Sequence, residues 1–151
     1  MLADCGWDPT GRWDQGDLGA LALADVFTPN EAEALAYARA GTVEEAAARL
    51  AVKCPMCVVT RGAAGVLAVA PGLRAAVPAP PVAATDTTGA GDVFSAALAW
   101  AHMRGRGVRD ALVFAVHAAA LSTTRRGGAS AAPALDEVEG FLAECGAAPG
   151  E

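Results

Sequence analysis

The chain has 151 residues, of which 54% are hydrophobic and 19% charged, and its formal net charge is −6. This length suits one compact domain with a sizeable apolar core, and the composition argues against a disordered chain. The negative charge and the lack of a basic stripe exclude nucleic acid as an expected partner.

The N-terminal residues and the hydropathy pattern indicate where in the cell the protein is expected. Residues 1–8 contain no basic region followed by an apolar stretch, so no signal peptide is predicted. No uninterrupted apolar run reaches the roughly 18 residues that a membrane-spanning helix needs. We therefore expect a soluble cytoplasmic protein that has no membrane partner.

Hydrophobic periodicity and turn residues predict strands that alternate with helices. Strands are expected, in chain order, at residues 1–4, 24–28, 56–60, 65–70 and 73–77, the last two as a hairpin around Pro71-Gly72. Helices are expected at residues 17–23, 31–39, from the cap Thr42 to about 52, 91–103 and 108–122, and after a cap at Asp136 paired with Glu139. This alternation indicates an α/β fold with a largely parallel sheet.

Two of the four cysteines, Cys54 and Cys57, form a C-x-x-C pattern. Such a pair could be a redox site or half of a zinc site. A zinc site would need a second ligand pair, and His102 and His117 are not spaced as one. A thioredoxin-like site needs a helix N-terminus, whereas Cys57 leads into a predicted strand. Buried structural thiols are therefore the favoured interpretation.

The segment that is most informative about chemistry is DTTGAGD, residues 86–92, which follows an extended connector and opens a predicted helix. Gly89, Ala90 and Gly91 leave main-chain N–H groups uncovered at the helix N-terminus, an arrangement that binds anions. Asp92 would lie in the first turn, where the helix dipole favours a carboxylate. Beside an anion hole it could serve as a general base toward a hydroxyl, or it could merely cap the helix.

Residues 86–97, DTTGAGDVFSAA, resemble the C-terminal signature of the PfkB, or ribokinase-like, family of carbohydrate and nucleoside kinases. Three further segments resemble that family in the expected order: residues 25–34, 58–67 and 118–127. The resemblance extends from about residue 24 to 142. It implies a ribokinase-like three-layer αβα fold, truncated at its N-terminus, as a single domain over residues 1–151.

The resemblance implies roles for the matched residues. Asp92 would be the catalytic base, and the amides of residues 89–91 would form the anion hole. Asn30 and Glu33, in an Asn-x-x-Glu motif, would organise Mg²⁺ and its waters near the phosphates, a role that suits a carboxylate. Asn30 could also cap the helix that follows Pro29, and both roles can hold at once.

Two further groups of residues gain implied roles. Thr60, Gly62 and Gly65, in a T-x-G-x-x-G pattern, would line the nucleotide, although this pattern alone could be a plain strand-turn-strand. The monovalent cation site, resembling a potassium site, would comprise Asp86 and Thr88 with the main-chain carbonyls of Ser122, Arg125 and Gly127. Ala131 stands where the family often has a serine in this loop. His117 is near the expected adenine, but a histidine in an apolar helix is more often packed in a core.

The resemblance thus implies an ATP-dependent kinase for a sugar or nucleoside hydroxyl, with Mg²⁺ as cofactor and K⁺ as a candidate second ion. The alternative is a non-catalytic nucleotide-binding fragment, or half of a split kinase that needs an N-terminal partner. In the family the N-terminal half sets the acceptor, and that half has no counterpart here. Its absence also predicts self-association through the exposed sheet edge.

Overall fold

In a computed structural model of the chain, residues 1–6 and 8–147 are described, except for the side chains of Gln15, Asp17 and Ala129. The chain divides into two compact units. The first unit comprises residues 1–61 and 66–76, and the second comprises residues 62–65 and the chain from residue 77 onward.

Among the described residues, five strands form one sheet, and their spatial order follows the sequence. They are β1 (Leu2–Ala3), β2 (Val26–Phe27), β3 (Met56–Thr60), β4 (Val66–Ala70) and β5 (Leu73–Val77). The sheet is mixed: β1, β2 and β3 are parallel, as expected, and β3 pairs with β4 in the antiparallel sense. β4 and β5 are neighbours joined by Pro71-Gly72, so the predicted hairpin is confirmed.

The described part of the chain also contains five α-helices: α1 (Glu31–Ala38), α2 (Val43–Leu50), α3 (Ala90–Met103), α4 (Val108–Ser122) and α5 (Leu135–Glu144). The segment predicted as a helix at 17–23 is a 3₁₀ helix, Gln15–Leu23. The side chain of Asp14 accepts a hydrogen bond from the Gly16 N–H at its start.

The predicted cap of the last helix is wrong. Asp136 lies inside the first turn of α5, and the capping residue is Ala134. The carboxylate of Glu137, not that of Glu139, accepts the Ala134 N–H at 2.8 Å. Glu137 stands at the third helical position, from which a glutamate side chain reaches back to the capping residue.

The core of the first unit lies between the sheet and α1 and α2. α2 buries residues 43, 46, 47 and 50, which recur on one helical face, and it packs on β3 and β4. Phe27, Val59 and Leu67 supply the facing side chains of the sheet. Cys54 and Cys57 are buried in the same core, as expected for structural thiols.

The second unit is built on the pair α3 and α4, which pack against each other and are connected by a short turn. Trp100 of α3 stacks on Phe114 of α4 with their ring centroids 5.0 Å apart. α5 packs against α4. Within the described part of the chain, no helix combines the length and the apolar character needed to cross a membrane.

Candidate active site

The N-terminus of α3 is opened by a glycine in the left-handed conformation. Gly89 has φ +74°, and its carbonyl accepts the first intrahelical hydrogen bond, from the Val93 N–H at 3.0 Å. The Ala90 N–H donates to the Thr87 carbonyl at 3.2 Å, so one of the three predicted anion-hole amides is engaged in this turn. The N–H groups of Gly91 and Asp92 precede the first intrahelical bond and point out of the helix end.

Asp92 lies in the first turn of α3, and its side chain is exposed. A Cβ placed on Gly91 would meet no heavy atom within 4 Å, so the space beside these amides is open to a ligand. An anion bound here would face fixed donors, the positive end of the helix dipole and a carboxylate able to accept a proton. These are the parts that phosphoryl transfer requires at its reacting centre.

Hydrogen bonds around Asp86 join the segment before α3 to the loop after α4. One carboxylate oxygen of Asp86 accepts the Thr88 N–H at 3.0 Å, and the other accepts the Gly127 N–H at 3.4 Å. The Thr123 carbonyl accepts the N–H groups of Thr85 and Asp86 at 2.7 and 3.0 Å. Bonds from Thr88, and then from Gly127, hold the pKa of the Asp86 carboxyl below its ordinary value of 3.8.

The five predicted cation ligands fall into two groups. Asp86, Thr88 and Gly127 come together through these bonds. Arg125 instead pairs at the surface with Glu137 at 2.8 Å, and the Ser122 hydroxyl bonds within α4 to the Ala119 carbonyl. The predicted ligands at residues 122 and 125 are main-chain carbonyls, which these side-chain contacts do not involve, whereas Gly127 meets Asp86 through its N–H and its carbonyl accepts a bond from Ser130. Carboxylate and carbonyl oxygens fit a hard monovalent cation.

Sequence reasoning missed Ser130, one residue before Ala131. Its hydroxyl donates to the Gly127 carbonyl at 2.8 Å, and a Cβ on Gly127 would lie only 2.5 Å from that hydroxyl oxygen. Gly127 has φ +136°, which favours glycine. The sequence GGAS at residues 127–130 is typical of a tight loop and could have indicated one.

In the first unit, the carboxyl ends of β2 and β3 lie side by side. The Thr60 N–H donates to the Pro29 carbonyl at 3.0 Å, and Thr60 forms a parallel bridge with Asn30. Asn30 then caps α1: its side-chain oxygen accepts the Glu33 N–H at 2.9 Å, and the Glu33 carboxylate accepts the Asn30 N–H at 2.9 Å. The structure thus brings Asn30, Glu33 and Thr60 together.

Glu33 is buried beside a thiol. The Cys5 Sγ–H donates to the Glu33 carboxylate at 3.5 Å, and burial, followed by the charge of Glu33, raises the pKa of that thiol. Candidate ligand atoms of Asp4, Cys5 and Glu33 lie within 4.8 Å of one another. The carboxylates of Asp4 and Glu33 suit Mg²⁺ held through water, whereas the protonated thiol of Cys5 is not a ligand for Mg²⁺. Sequence reasoning assigned no role to Cys5.

The T-x-G-x-x-G residues lie at the end of β3 and in the turn that follows. Gly62 and Gly65 have φ +53° and +82°, and the Gly65 N–H donates to the Gly62 carbonyl at 2.9 Å. The backbone conformation alone therefore favours both glycines. His117 is buried in α4, where its Nδ1 bonds the Val113 carbonyl at 2.8 Å and its ring faces Phe141, as a packed histidine does.

The family model described as pfkB family carbohydrate kinase matches residues 4–135. The chain belongs to this family. A ribokinase of Bacillus subtilis (strain 168) is 40% identical over 119 residues, which are 79% of this chain and 40% of that protein. A fructokinase of Klebsiella pneumoniae is 36% identical over 132 residues, or 82% of this chain and 43% of that one.

Among solved structures, a putative ribokinase II from E. coli in complex with ATP and Mg²⁺ superposes with a TM-score of 0.78 at 31% identity. The match covers 84% of this chain and 42% of that one. The predicted family and the ribokinase-like α/β fold are thereby confirmed. The chain spans about two fifths of the length of the curated relatives described above, consistent with a match to one half of such kinases.

Proposed function

We propose that this chain carries the nucleotide-binding and phosphoryl-transfer part of an ATP-dependent kinase for the hydroxyl of a sugar or related small molecule. The observation that supports this most directly is the exposed carboxylate of Asp92 in the first turn of α3, beside the outward-pointing amides that follow Gly89. Membership of the pfkB family supplies the reaction class.

In the proposed reaction, Asp92 accepts the proton of the acceptor hydroxyl as its oxygen attacks the γ-phosphorus of ATP. The bond from that phosphorus to the bridging oxygen breaks, and ADP leaves with the electron pair. The predicted anion-hole amides of Gly89 and Gly91, joined by that of Asp92, would stabilise the negative charge on the transferring group without reorganisation. The catalytic contribution of the protein is thus mainly positioning and charge stabilisation.

Further residues would bind the nucleotide and two ions. Mg²⁺, held through water by Asn30 and Glu33, would neutralise phosphate charge. Thr60, Gly62 and Gly65 would line the nucleotide. A monovalent cation, K⁺ by preference, would lie at the oxygens around Asp86, with Thr88 and the carbonyls of residues 122, 125 and 127. The E. coli structure that contains ATP and Mg²⁺ supports ATP and Mg²⁺ as the ligands, and the residue assignments rest on the motif positions.

The relatives support a sugar as the acceptor class, because they are named ribokinase and fructokinase. A second candidate function is a non-catalytic nucleotide-binding fragment, or one half of a split kinase that acts with a separate N-terminal chain. The observation that favours it is the coverage of the curated relatives, 40% of one and 43% of the other.

Asp92→Asn tests the catalytic assignment. We expect the variant to bind Mg·ATP as the wild type does, because the amides are unchanged. Transfer of the γ-phosphoryl group to a panel of sugars and nucleosides should fall by roughly 100- to 10,000-fold, the usual contribution of a general base. Calorimetry measures the binding, and radiolabelled ATP measures the transfer.

Asp110→Asn is the matched control, because Asp110 occupies the same position in the first turn of α4. It should alter neither binding nor transfer. Transfer that survives Asp92→Asn, or an equal loss in Asp110→Asn, contradicts the assignment. Binding by the wild type without transfer to any acceptor favours the second candidate, and no binding of Mg·ATP overturns both.

A further inference from the structure

Arg61 directly follows β3, inside the T-x-G-x-x-G segment, and has an unusual environment. Its side chain is 30% exposed, yet its Nε is buried and has no hydrogen-bond partner among the described residues. Buried donors are almost always paired, because an unpaired one loses its bonds to water without replacement. An unpaired guanidinium nitrogen therefore calls for a ligand or a functional reason.

The nearest opposite charge is Glu31, in the first turn of α1. Its Oε2 lies 4.0 Å from the Arg61 Nε, which is beyond hydrogen-bond range, and its side chain is 48% exposed. An exposed ion pair of this length contributes little to the stability of the fold. Glu33 is committed to the cap of α1 and to Cys5, so it does not compete for the arginine.

The position of Arg61 is suited to an anion. It follows Thr60, whose N–H is tied to Pro29, so it stands where the parallel strands β2 and β3 end and α1 begins. Open α/β sheets bind ligands beyond the carboxyl ends of their parallel strands. A guanidinium offers five donors in a planar fork that matches phosphate oxygens.

We propose that Arg61 binds a phosphate group of the nucleotide, and that Glu31 pairs with it until the nucleotide arrives. This rests on the proposed function and adds to it a phosphate-binding residue outside the motif positions. Release of Glu31, which faces the buried Nε, to solvent would open that nitrogen to the phosphate, and the phosphate would then supply the acceptor that Nε lacks. Arg61 is then a binding residue, and Glu31 a competitor of the ligand.

The test measures Mg·ATP binding to the 151-residue chain by calorimetry. Arg61→Gln should weaken binding roughly tenfold, the usual effect of losing one charge-assisted hydrogen bond. Arg61→Lys keeps the positive charge but not the planar fork of donors, so its affinity for Mg·ATP should fall less than that of Arg61→Gln. Glu31→Gln should strengthen binding by up to roughly fivefold, because it removes the competing carboxylate.

The matched control is Arg74 with Glu44, a second long ion pair of the first unit with 3.9 Å between Nη2 and Oε1. Arg74→Gln and Glu44→Gln should leave the affinity unchanged. Wild-type affinity in Arg61→Gln, or an equal loss in Arg74→Gln, overturns the assignment of Arg61. Glu31→Gln that does not raise the affinity overturns the competition by Glu31.

The two proposals fail in distinguishable ways. A wild-type chain that does not bind Mg·ATP overturns the proposed function and this inference together. A wild-type chain that binds, with Arg61 variants that bind equally well, overturns this inference alone. If Arg61→Gln does not fold, Arg61→Lys and the gain expected in Glu31→Gln still decide the question.

Discussion

Gly62 and Gly65 share one sequence motif but differ in what surrounds them. Both have positive φ, which costs a residue with a side chain about 1–2 kcal/mol. A Cβ on Gly62 would meet nothing within 4 Å. A Cβ on Gly65 would lie 2.0 Å from the Val77 carbonyl oxygen, a backbone atom that cannot move aside cheaply.

Gly65→Ala should therefore destabilise the protein by about 3 kcal/mol or more, since steric overlap adds to backbone strain. Gly62→Ala, the matched control, should cost only about 1–2 kcal/mol. Urea unfolding followed by circular dichroism measures both. Equal losses in the two variants would contradict the close approach of the Val77 carbonyl to Gly65.

At the scale of single elements, α1 and α2 both begin with a side-chain N-cap. Asn30 caps α1 and Thr42 caps α2, each accepting the N–H three residues on, at 2.9 and 3.2 Å. Glu33 accepts the Asn30 N–H, whereas Glu45 reaches one residue further, to the Gly41 N–H at 3.2 Å. Only the first cap is proposed to have a second role, toward Mg²⁺.

Substitutions at the two caps separate these roles. Asn30→Ala and Thr42→Ala should each cost about 1 kcal/mol of unfolding free energy, whereas Asn30→Ser should retain the cap. If Asn30 also organises Mg²⁺, both Asn30 variants should weaken Mg·ATP binding by roughly tenfold, and Thr42→Ala should not. Normal Mg·ATP affinity in Asn30→Ser would leave Asn30 with a capping role only.

At the scale of the whole molecule, β1 is the terminal strand of the sheet. The carbonyls of Met1 and Ala3 accept hydrogen bonds from residues 25, 26 and 28. Since alternate residues of a parallel strand bond to opposite neighbours, the N–H and C=O of Leu2 point to the other edge of β1. An edge of this kind is a template for pairing with another chain.

We expect the isolated chain to self-associate through this edge, and Leu2→Pro to weaken the association at least roughly fivefold by removing one main-chain donor. Leu2→Ala is the matched control, because it shortens the side chain but keeps the N–H. Light scattering over a concentration series measures the effect. A stable wild-type monomer, or equal behaviour of the two variants, contradicts this prediction.

Features that depend on residues close together in the sequence were predicted well, and features that depend on distant residues were not. The bounds of β3, β5 and α4 were predicted to the residue, because they follow from apolar periodicity and flanking turn residues. The cap of α5 was misplaced because two acidic residues compete within one turn, and only the backbone conformation at Ala134 decides between them. The short strand β2, predicted as five residues, pairs over only two.

The sequence by itself determined the helix that DTTGAGD opens, the caps Asn30 and Thr42 and the hairpin, since each depends on residues within a few positions. The tertiary structure alone decided which distant groups meet. Gly127 bonds Asp86 across 41 residues, and Cys5 bonds Glu33 across 28. The unpaired Nε of Arg61 belongs to the same class, because burial depends on the path of the whole chain and no local pattern encodes it.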